Sequence, residues 1–231
     1  MNQNTIPKKI KAVIFDFDGT IVDSEDNYYE ADRLLLKSFG YDFTKDMKKK
    51  YVGIGNFPMM QDIKKVYNLT AGVDELLLLK NNLYLDLARK QTIVFPEMKI
   101  FLKLLHETGY IIALASGSSQ IILNELTDAL GISNFFNTIV STEAVGKGKP
   151  DPAVFIYAGE KISVSSDEIV VVEDSIYGVE AAKRAFMRCI AVPYLTEKPL
   201  ADIFYKADLL FEDGMKSFTG EKAFEWVSNI Q

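Results

Sequence analysis

The chain has 231 residues, of which 48% are hydrophobic and 25% are charged, a composition typical of a globular protein with a buried core. Its net charge of −6 argues against nucleic acid as the main partner, since phosphate backbones favour a basic surface. One cysteine excludes an intrachain disulfide, and neither the N-terminus nor any other segment has the apolar run of a signal peptide or a membrane helix, so we expect a soluble, cytoplasmic protein without a membrane partner.

Six short apolar runs along the chain predict buried strands. Uninterrupted runs of this kind are typical of strands that are covered on both faces of a parallel sheet. The predicted strands are 11–16, 110–116, 137–142, 168–174, 189–193 and 207–213. Helical patterns lie between most of them, at 96–108, 119–130, 152–162 and 176–187. This alternation predicts an α/β fold with a doubly wound parallel sheet, since right-handed crossovers place helices on both faces.

Residues 24–91 interrupt this alternation. The segments NYYEADRLLLKSFG and DELLLLKNNLYLDLARK have helical patterns, and the interval contains no convincing strand. We therefore expect a helical domain at 24–91, inserted between the first two strands of a core that is formed by 1–23 and 92–231.

Reactive side chains follow the first four predicted strands at the point where each strand ends. Ligands of open parallel sheets bind beyond the carboxyl ends of the strands, so these side chains are expected to meet. They are Asp16 and Asp18 at the end of the first strand, Ser116 and Gly117 at the end of the second, Lys149 in the loop after the third, and Glu173 and Asp174 at the end of the fourth. One acidic strand end is often a helix N-cap. Two acidic ends, a lysine and a Ser-Gly turn on one edge favour an active site instead.

A cluster of carboxylates at this edge requires a compensating cation. Two carboxylates ~4 Å apart repel each other by about 4 kcal/mol at an effective dielectric constant of 20. Hard oxygen ligands with open water positions suit Mg²⁺, which pairs with phosphate substrates. Lys149 adds positive charge, and backbone N–H groups near Ser116 and Gly117 are suited to phosphate oxygens. The residues themselves thus predict a magnesium site that binds a phosphorylated substrate.

Four motifs, DFDGT, ASGSS, KPDPAVF and VVVEDSIYGVEAAKRA, occur in the order and positions that are typical of the haloacid dehalogenase (HAD) superfamily of phosphotransferases. The resemblance covers essentially the whole chain. The insertion resembles the helical cap of the subgroup that contains β-phosphoglucomutase and phosphoglycolate phosphatase. The resemblance implies a Mg²⁺-dependent phosphatase for a small phosphorylated metabolite, such as a sugar phosphate or a phosphoglycolate-like compound. We expect a monomer or a weak dimer.

The same resemblance implies a role for each residue at the edge. Asp16 is the expected nucleophile, which attacks phosphorus to form an aspartyl-phosphate. Asp18 is the expected general acid–base, which protonates the leaving oxygen and then activates water. The expected Mg²⁺ site comprises Asp16, the main-chain carbonyl of Asp18, Asp174 and, close by, Glu173. The transferring phosphoryl group is expected to bind Ser116, Gly117 and Lys149.

Residues of the insertion bear on the choice of substrate. Lys80 and Asn81 resemble a Lys-Asn pair of the mutases and are candidate substrate contacts. Tyr28 and Asn56, also candidate contacts, stand where the mutases typically have His and Arg, and Thr20 stands where they commonly have Val. We therefore predict a phosphatase, with a β-phosphoglucomutase-type mutase as the alternative.

Two classes outside these enzymes fit the motifs less well. A receiver-type signalling domain also uses Asp, Mg²⁺ and Lys on a parallel sheet, but it lacks the insertion and the D-x-D spacing. A binding protein without activity would be expected to lose Asp16 or Asp18, and both are present.

Overall fold

A computed structural model describes residues 9–51 and 55–230 and contains a six-stranded sheet with helices on both faces. Its strands are Ala12–Phe15 (β1), Ile111–Ser116 (β4), Thr138–Ser141 (β5), Ile169–Glu173 (β6), Arg188–Ala191 (β7) and Leu209–Leu210 (β8). They lie in the order β5–β4–β1–β6–β7–β8, and all their pairings are parallel. A separate antiparallel pair is formed by Val22–Asp23 (β2) and Ile93–Val94 (β3). The predicted doubly wound α/β fold is confirmed.

Alternate side chains of each strand face opposite sides of the sheet, as the pleat requires. Val13 and Phe15 of β1 belong to one buried hydrophobic cluster, whereas Ala12 and Ile14 belong to another. The helices that cover the sheet are Pro96–Glu107 (α5), Gln120–Ala129 (α6), Ala153–Lys161 (α7), Ile176–Arg184 (α8) and Gly220–Asn229 (α9). Helices α5, α6 and α9 contribute to the first cluster, and α7 and α8 contribute to the second.

The described part of the inserted segment contains helices joined by short connections and no strand. It contains Glu25–Ser38 (α1), Lys45–Lys49 (α2), Asn56–Val66 (α3) and Val73–Gln91 (α4). These helices bury a cluster of their own, which includes Leu36, Met60 and Leu76. The chain enters the insertion directly after β2 and leaves it directly before β3, which pair with each other. The β2–β3 pair thus joins the two connections at the base of the insertion.

The structure differs from the sequence-based elements at the C-terminal end of the chain. The predicted helix 176–187 ends at Arg184, because Phe186 adopts a left-handed conformation with φ of +58°. The predicted strand 207–213 is reduced to the two residues of β8. Helix α9 was not predicted; it begins at an N-cap, Thr219, and packs against α5. Within the described residues, no helix has both the length and the apolar character needed to cross a membrane.

Candidate active site

The parallel register brings the predicted site residues to one edge of the sheet. Phe15, the last residue of β1, lies beside Leu114 of β4 and Val172 of β6. The carboxyl ends of these three strands therefore lie side by side. Asp16 has Glu173 on one side and the end of β4 on the other. Asp16 donates its N–H to Val172 O at 3.0 Å, which extends the pairing by one residue. Its side chain is buried.

Lys149 joins the carboxylates of β1 and β6. Its ammonium contacts Asp16 Oδ1, lies 2.6 Å from Glu173 Oε1 and donates to Ala115 O at 3.2 Å. Burial raises the pKa of Asp16, Lys149 opposes this, and the charge of Glu173 adds to the rise. Burial alone would lower the pKa of Lys149, but the two carboxylates raise it above its ordinary value. Lys149 is therefore a permanent cation next to Asp16.

Glu173 holds Lys149 in place and binds the turn that leads into α8, whose N-cap is Ser175. Its second oxygen, Oε2, accepts hydrogen bonds from Asp174 N at 3.0 Å and from Ser175 N at 3.1 Å and Oγ at 3.0 Å. The carboxylate lies directly against Gly178, where a Cβ would be 1.8 Å from its carboxyl carbon. Both oxygens of Glu173 thus bind protein groups. Glu173 therefore supports Asp16 and Asp174 from beside them.

Asp174 directly follows Glu173 and is held by the DFDGT loop. Thr20 Oγ1 donates to Asp174 Oδ1 at 3.0 Å. Gly19 has a φ of +82°, and a Cβ there would lie 2.6 Å from Asp174 Oδ2, so glycine is required both by the backbone and by the carboxylate. Burial, together with the charges of Glu173 and Asp16, raises the pKa of Asp174 well above its ordinary value.

Asp18 is surrounded by hydroxyl groups. Its Oδ2 accepts from Ser118 Oγ at 2.5 Å and from the hydroxyl of Tyr28 at 3.4 Å, and its Oδ1 accepts from the hydroxyl of Tyr84 at 3.3 Å. Burial raises the pKa of Asp18, and hydrogen bonds from Ser118, Ser24 and Tyr84 oppose the rise. Burial thus favours the protonated form of the Asp18 carboxyl relative to the same group in water.

The loop after β4 forms the part of the site that is suited to anions. Ser116 is buried, and its Oγ accepts from Ser118 N at 3.1 Å. Gly117 is exposed, and the loop leads into the N-terminus of α6, whose N-cap is Ser119. Helix N-termini present unpaired N–H groups and a positive dipole end, which favour phosphate oxygens.

These residues line a cavity of about 840 Å³ between the sheet edge and the insertion. From the core it is lined by residues that include Asp16, Asp18, Ser116, Gly117, Lys149, Glu173 and Asp174. From the insertion it is lined by Tyr28, Asn56 and Asn81, which were among the predicted substrate contacts, and by Lys48. The cavity thus brings together the predicted core residues and three of the four predicted residues of the insertion.

Lys80 is the fourth, and its prediction as a substrate contact requires correction. Its side chain is fully buried and does not line the cavity. Its ammonium lies 2.7 Å from Asp32 Oδ1, donates to Asn56 Oδ1 at 2.9 Å and lies over the ring of Tyr28. Asp32, itself fully buried, also accepts from Lys48 Nζ at 2.6 Å. Lys80 therefore supports the insertion from within, because its charge is neutralised there.

The predicted metal can be tested against the side chains that are present. Among residues 9–51 and 55–230, no group of three or more His, Cys, Asp or Glu side chains is arranged as a metal site. Mg²⁺ does not need one, since it is bound in proteins by one or two carboxylates together with water and substrate phosphate. The pKa values of Asp16 and Asp174 are both raised, in part by neighbouring carboxylates, so a cation beside them relieves repulsion. This pair of carboxylates fits Mg²⁺.

Three residues that support the site or the insertion were not singled out from the sequence. Ser118 lies inside the ASGSS motif, but its contact with Asp18 depends on how the loop folds. Tyr84 lies four residues after Lys80 in α4, a spacing that places both on one side of the helix and was an available signal. Asp32 pairs with Lys80 across two helices that are far apart in sequence.

Comparison with known proteins identifies the family. The family model for haloacid dehalogenase-like hydrolases matches residues 13–192. A phosphorylated carbohydrates phosphatase from Thermotoga maritima is 30% identical over 183 residues, which cover 76% of this chain and 82% of the relative. A β-phosphoglucomutase from Bacillus subtilis is 30% identical over 190 residues, which cover 79% of this chain and 83% of the relative. The chain therefore belongs to the haloacid dehalogenase-like hydrolase family.

Comparison of the fold with solved structures gives a similar result. The crystal structure of CbbY from Rhodobacter sphaeroides in complex with phosphate has a TM-score of 0.80 at 22% identity, and the match covers 89% of this chain and 95% of that chain. The predicted membership of the HAD superfamily is confirmed, as is the predicted class of enzyme, a phosphoric monoester hydrolase. The roles of individual residues stay predictions.

Proposed function

We propose that this protein is a Mg²⁺-dependent phosphatase that hydrolyses a small phosphorylated metabolite through a phosphoryl group on Asp16. One observation carries the proposal: Asp16 and Asp18 follow the same strand, contact different partners and line one cavity together with Ser116 and Lys149. Paired carboxylates in different surroundings are suited to different roles in one reaction.

Asp16 is the proposed nucleophile. In the first half-reaction, an oxygen of its carboxylate forms a bond to phosphorus while the bond from phosphorus to the ester oxygen breaks. The ester oxygen leaves with the electron pair of that bond. The contact with Lys149 orients the carboxylate and counters the negative charges that meet there.

Asp18 is the proposed general acid–base. It gives its proton to the departing ester oxygen, so that the product leaves as an alcohol. In the second half-reaction it takes a proton from a water molecule, whose oxygen attacks phosphorus. The bond between phosphorus and Asp16 then breaks, which restores the Asp16 carboxylate and yields inorganic phosphate.

The remaining polar groups are assigned to the phosphoryl oxygens. The turn at Ser116 and Gly117 and the N-terminus of α6 supply N–H and O–H donors, and Lys149 supplies positive charge. Asp16, the main-chain carbonyl of Asp18 and Asp174 would hold the Mg²⁺ ion, with Glu173 behind them. Bound there, Mg²⁺ would neutralise the phosphoryl oxygens and the carboxylates.

The insertion is proposed to act as a cap that selects the substrate. We propose boundaries of 24–91 within a core of 1–23 and 92–231, and the β2–β3 pair at the base of the insertion supports them. Tyr28, Asn56 and Asn81 are the proposed cap contacts, since they line the cavity opposite Asp16 and Asp18. A cap of this kind excludes water from the phosphoryl group during transfer.

A phosphosugar mutase is the second candidate, because the β-phosphoglucomutase relative and the phosphatase relative are both 30% identical to this chain. Two features favour the phosphatase. Asn56 is neutral and accepts from Lys80, so it is a poor ligand for a second phosphate. Thr20 follows the phosphatase form of the motif and holds Asp174.

The experiment is a screen of the purified protein with Mg²⁺ against sugar phosphates, phosphoglycolate and nucleotides, with phosphate release as the readout. Asp16→Asn is the matched control, because the amide keeps the shape of the side chain but cannot attack phosphorus. Release of phosphate by the wild type and loss of release in the variant would support the proposal. Interconversion of glucose phosphates without phosphate release, dependent on a bisphosphate activator, would establish the mutase instead.

A further inference from the structure

Asp18 makes two proton transfers in the proposed mechanism, and both require its carboxylate to face the reacting oxygen. Hydroxyl donors contact both of its oxygens. Tyr84 donates to Oδ1 at 3.3 Å, and Ser118 donates to Oδ2 at 2.5 Å.

Tyr28 completes this set of hydroxyls. Its hydroxyl is in hydrogen-bond contact with Ser118 Oγ and lies 3.4 Å from Asp18 Oδ2. The Tyr28 hydroxyl has one proton, which is shared between Ser118 Oγ, the nearer acceptor, and Asp18 Oδ2. Tyr28 therefore acts on Oδ2 mainly through Ser118, whereas Tyr84 acts on Oδ1 directly.

The two tyrosine rings are fixed by each other. They stack with their centroids 3.9 Å apart and an angle of 16° between the ring planes. Tyr28 belongs to α1 and Tyr84 to α4, and both rings are buried. The ammonium of Lys80 lies 5.5 Å from the centroid of the Tyr28 ring, a distance that allows a cation–π interaction. The rings thus have little freedom to move their hydroxyls away from Asp18.

Burial also keeps both hydroxyls in the donor form. It raises the pKa of Tyr28 and of Tyr84 well above the ordinary value, and the nearby charge of Asp18 adds to the rise. Neither tyrosine is thus suited to take up or release a proton itself.

We propose that Tyr28 and Tyr84 are positioning residues for the general acid–base Asp18. The inference rests on the proposed function. It adds that the reaction in the core depends on side chains of the insertion. The carboxylate of Asp18, which follows a core strand, is oriented by side chains from two helices of the inserted segment. Its orientation towards the leaving group therefore requires those helices to be packed against the core.

The test compares two phosphate esters of similar size, benzyl phosphate and p-nitrophenyl phosphate. The benzyl ester releases a basic alkoxide that needs a proton from Asp18, whereas p-nitrophenolate is stable enough to leave without one. The parameter kcat/KM reports the steps up to release of the first product, so it isolates the role of Asp18 as an acid. We expect Tyr84→Phe and Tyr28→Phe to lower kcat/KM about tenfold for benzyl phosphate and less than about threefold for p-nitrophenyl phosphate, since a positioned acid contributes on the order of 10²–10⁴.

Tyr29→Phe is the matched control. Tyr29 lies next to Tyr28 in α1, and its hydroxyl donates to Phe43 O at 3.2 Å, within the insertion. Like Tyr28→Phe, Tyr29→Phe removes one tyrosine hydroxyl from α1. The ratio of kcat/KM for benzyl phosphate to kcat/KM for p-nitrophenyl phosphate is expected to stay at the wild-type value. Each phenylalanine retains the ring and the stacking, so the variants are expected to fold.

Each outcome separates the inference from the function on which it rests. A wild type that hydrolyses neither ester would refute the proposed function. An active wild type whose substrate ratio is unchanged in both Tyr28→Phe and Tyr84→Phe would refute the inference alone. Equal losses on both esters would also refute it, because a purely structural role does not distinguish leaving groups.

Discussion

Replacement of Gly178 by alanine is expected to destabilise the protein, although this substitution stabilises an ordinary helix. Gly178 lies in α8, and alanine in a helix interior is normally favoured over glycine by about 0.8–1 kcal/mol. At this position a Cβ would lie 1.8 Å from the carboxyl carbon of Glu173 and 1.9 and 2.1 Å from its oxygens. The carboxylate would have to move away from Lys149 and from the first turn of α8.

The size of the effect follows from the contacts of Glu173. Its carboxylate accepts from Asp174 N, Ser175 N and Ser175 Oγ and forms a buried ion pair with Lys149 at 2.6 Å. The loss of one partner from a buried ion pair costs about 3–5 kcal/mol. After subtraction of the helix-propensity gain, Gly178→Ala is expected to lower the free energy of unfolding by about 2–4 kcal/mol.

Urea unfolding followed by circular dichroism measures this change. Gly159→Ala in α7 is the control, because a Cβ there would lie 3.1 Å from the end of the Ile169 side chain, which can turn aside. Its effect is expected to stay within about 1 kcal/mol. The double variant with Glu173→Ala should cost less than the sum of the two single variants, since the clash is then absent. A Gly178→Ala variant more stable than the wild type would refute the reasoning.

Three further predictions concern stability and metal binding. Phe186→Gly is expected to raise the free energy of unfolding by about 1 kcal/mol, because Phe186 is 86% exposed at φ of +58°, where a side chain costs about 1–2 kcal/mol; a lower urea midpoint would contradict this. Asp32→Ala is expected to lower the free energy of unfolding by about 3–5 kcal/mol, since the buried ammonium of Lys80 loses its carboxylate. Asp26→Ala, which removes an exposed carboxylate from the same helix, should leave the urea midpoint unchanged, and equal effects of the two variants would be evidence against the buried pair. Chelation of Mg²⁺ should abolish activity, and Asp174→Ala should raise the Mg²⁺ concentration for half-maximal activity about tenfold or more; an unchanged value would show that Asp174 is no ligand.

The arrangement of the core was predictable from local sequence features. Apolar runs such as 168–174 are long enough to indicate a buried strand without any knowledge of their neighbours. Parallel strands place their carboxyl ends at one edge, so the meeting of Asp16, Ser116 and Asp174 followed from the position of each residue at the end of a strand.

The contacts of the insertion were not predictable in the same way. Lys80 has the sequence context of a surface lysine on an amphipathic helix, and its burial depends on Asp32, which is supplied by another helix. The hydroxyls around Asp18 come from α1, α4 and the loop after β4, so they meet only when the insertion packs on the core. Strands β2 and β3 have two residues each, which is too short for any periodicity to be detected.

The covalent phosphoryl group on Asp16 is the central claim, and a pre-steady-state measurement with Asp18→Asn tests it most directly. With p-nitrophenyl phosphate as substrate, the variant retains a nucleophile and a leaving group that needs no acid, but it has lost the base that activates water. We expect a burst of one equivalent of p-nitrophenol per enzyme, with phosphate retained on the peptide that contains Asp16 in mass spectrometry of the quenched protein. Absence of a burst in a folded variant whose wild type is active, or phosphate on a different residue, would contradict the account.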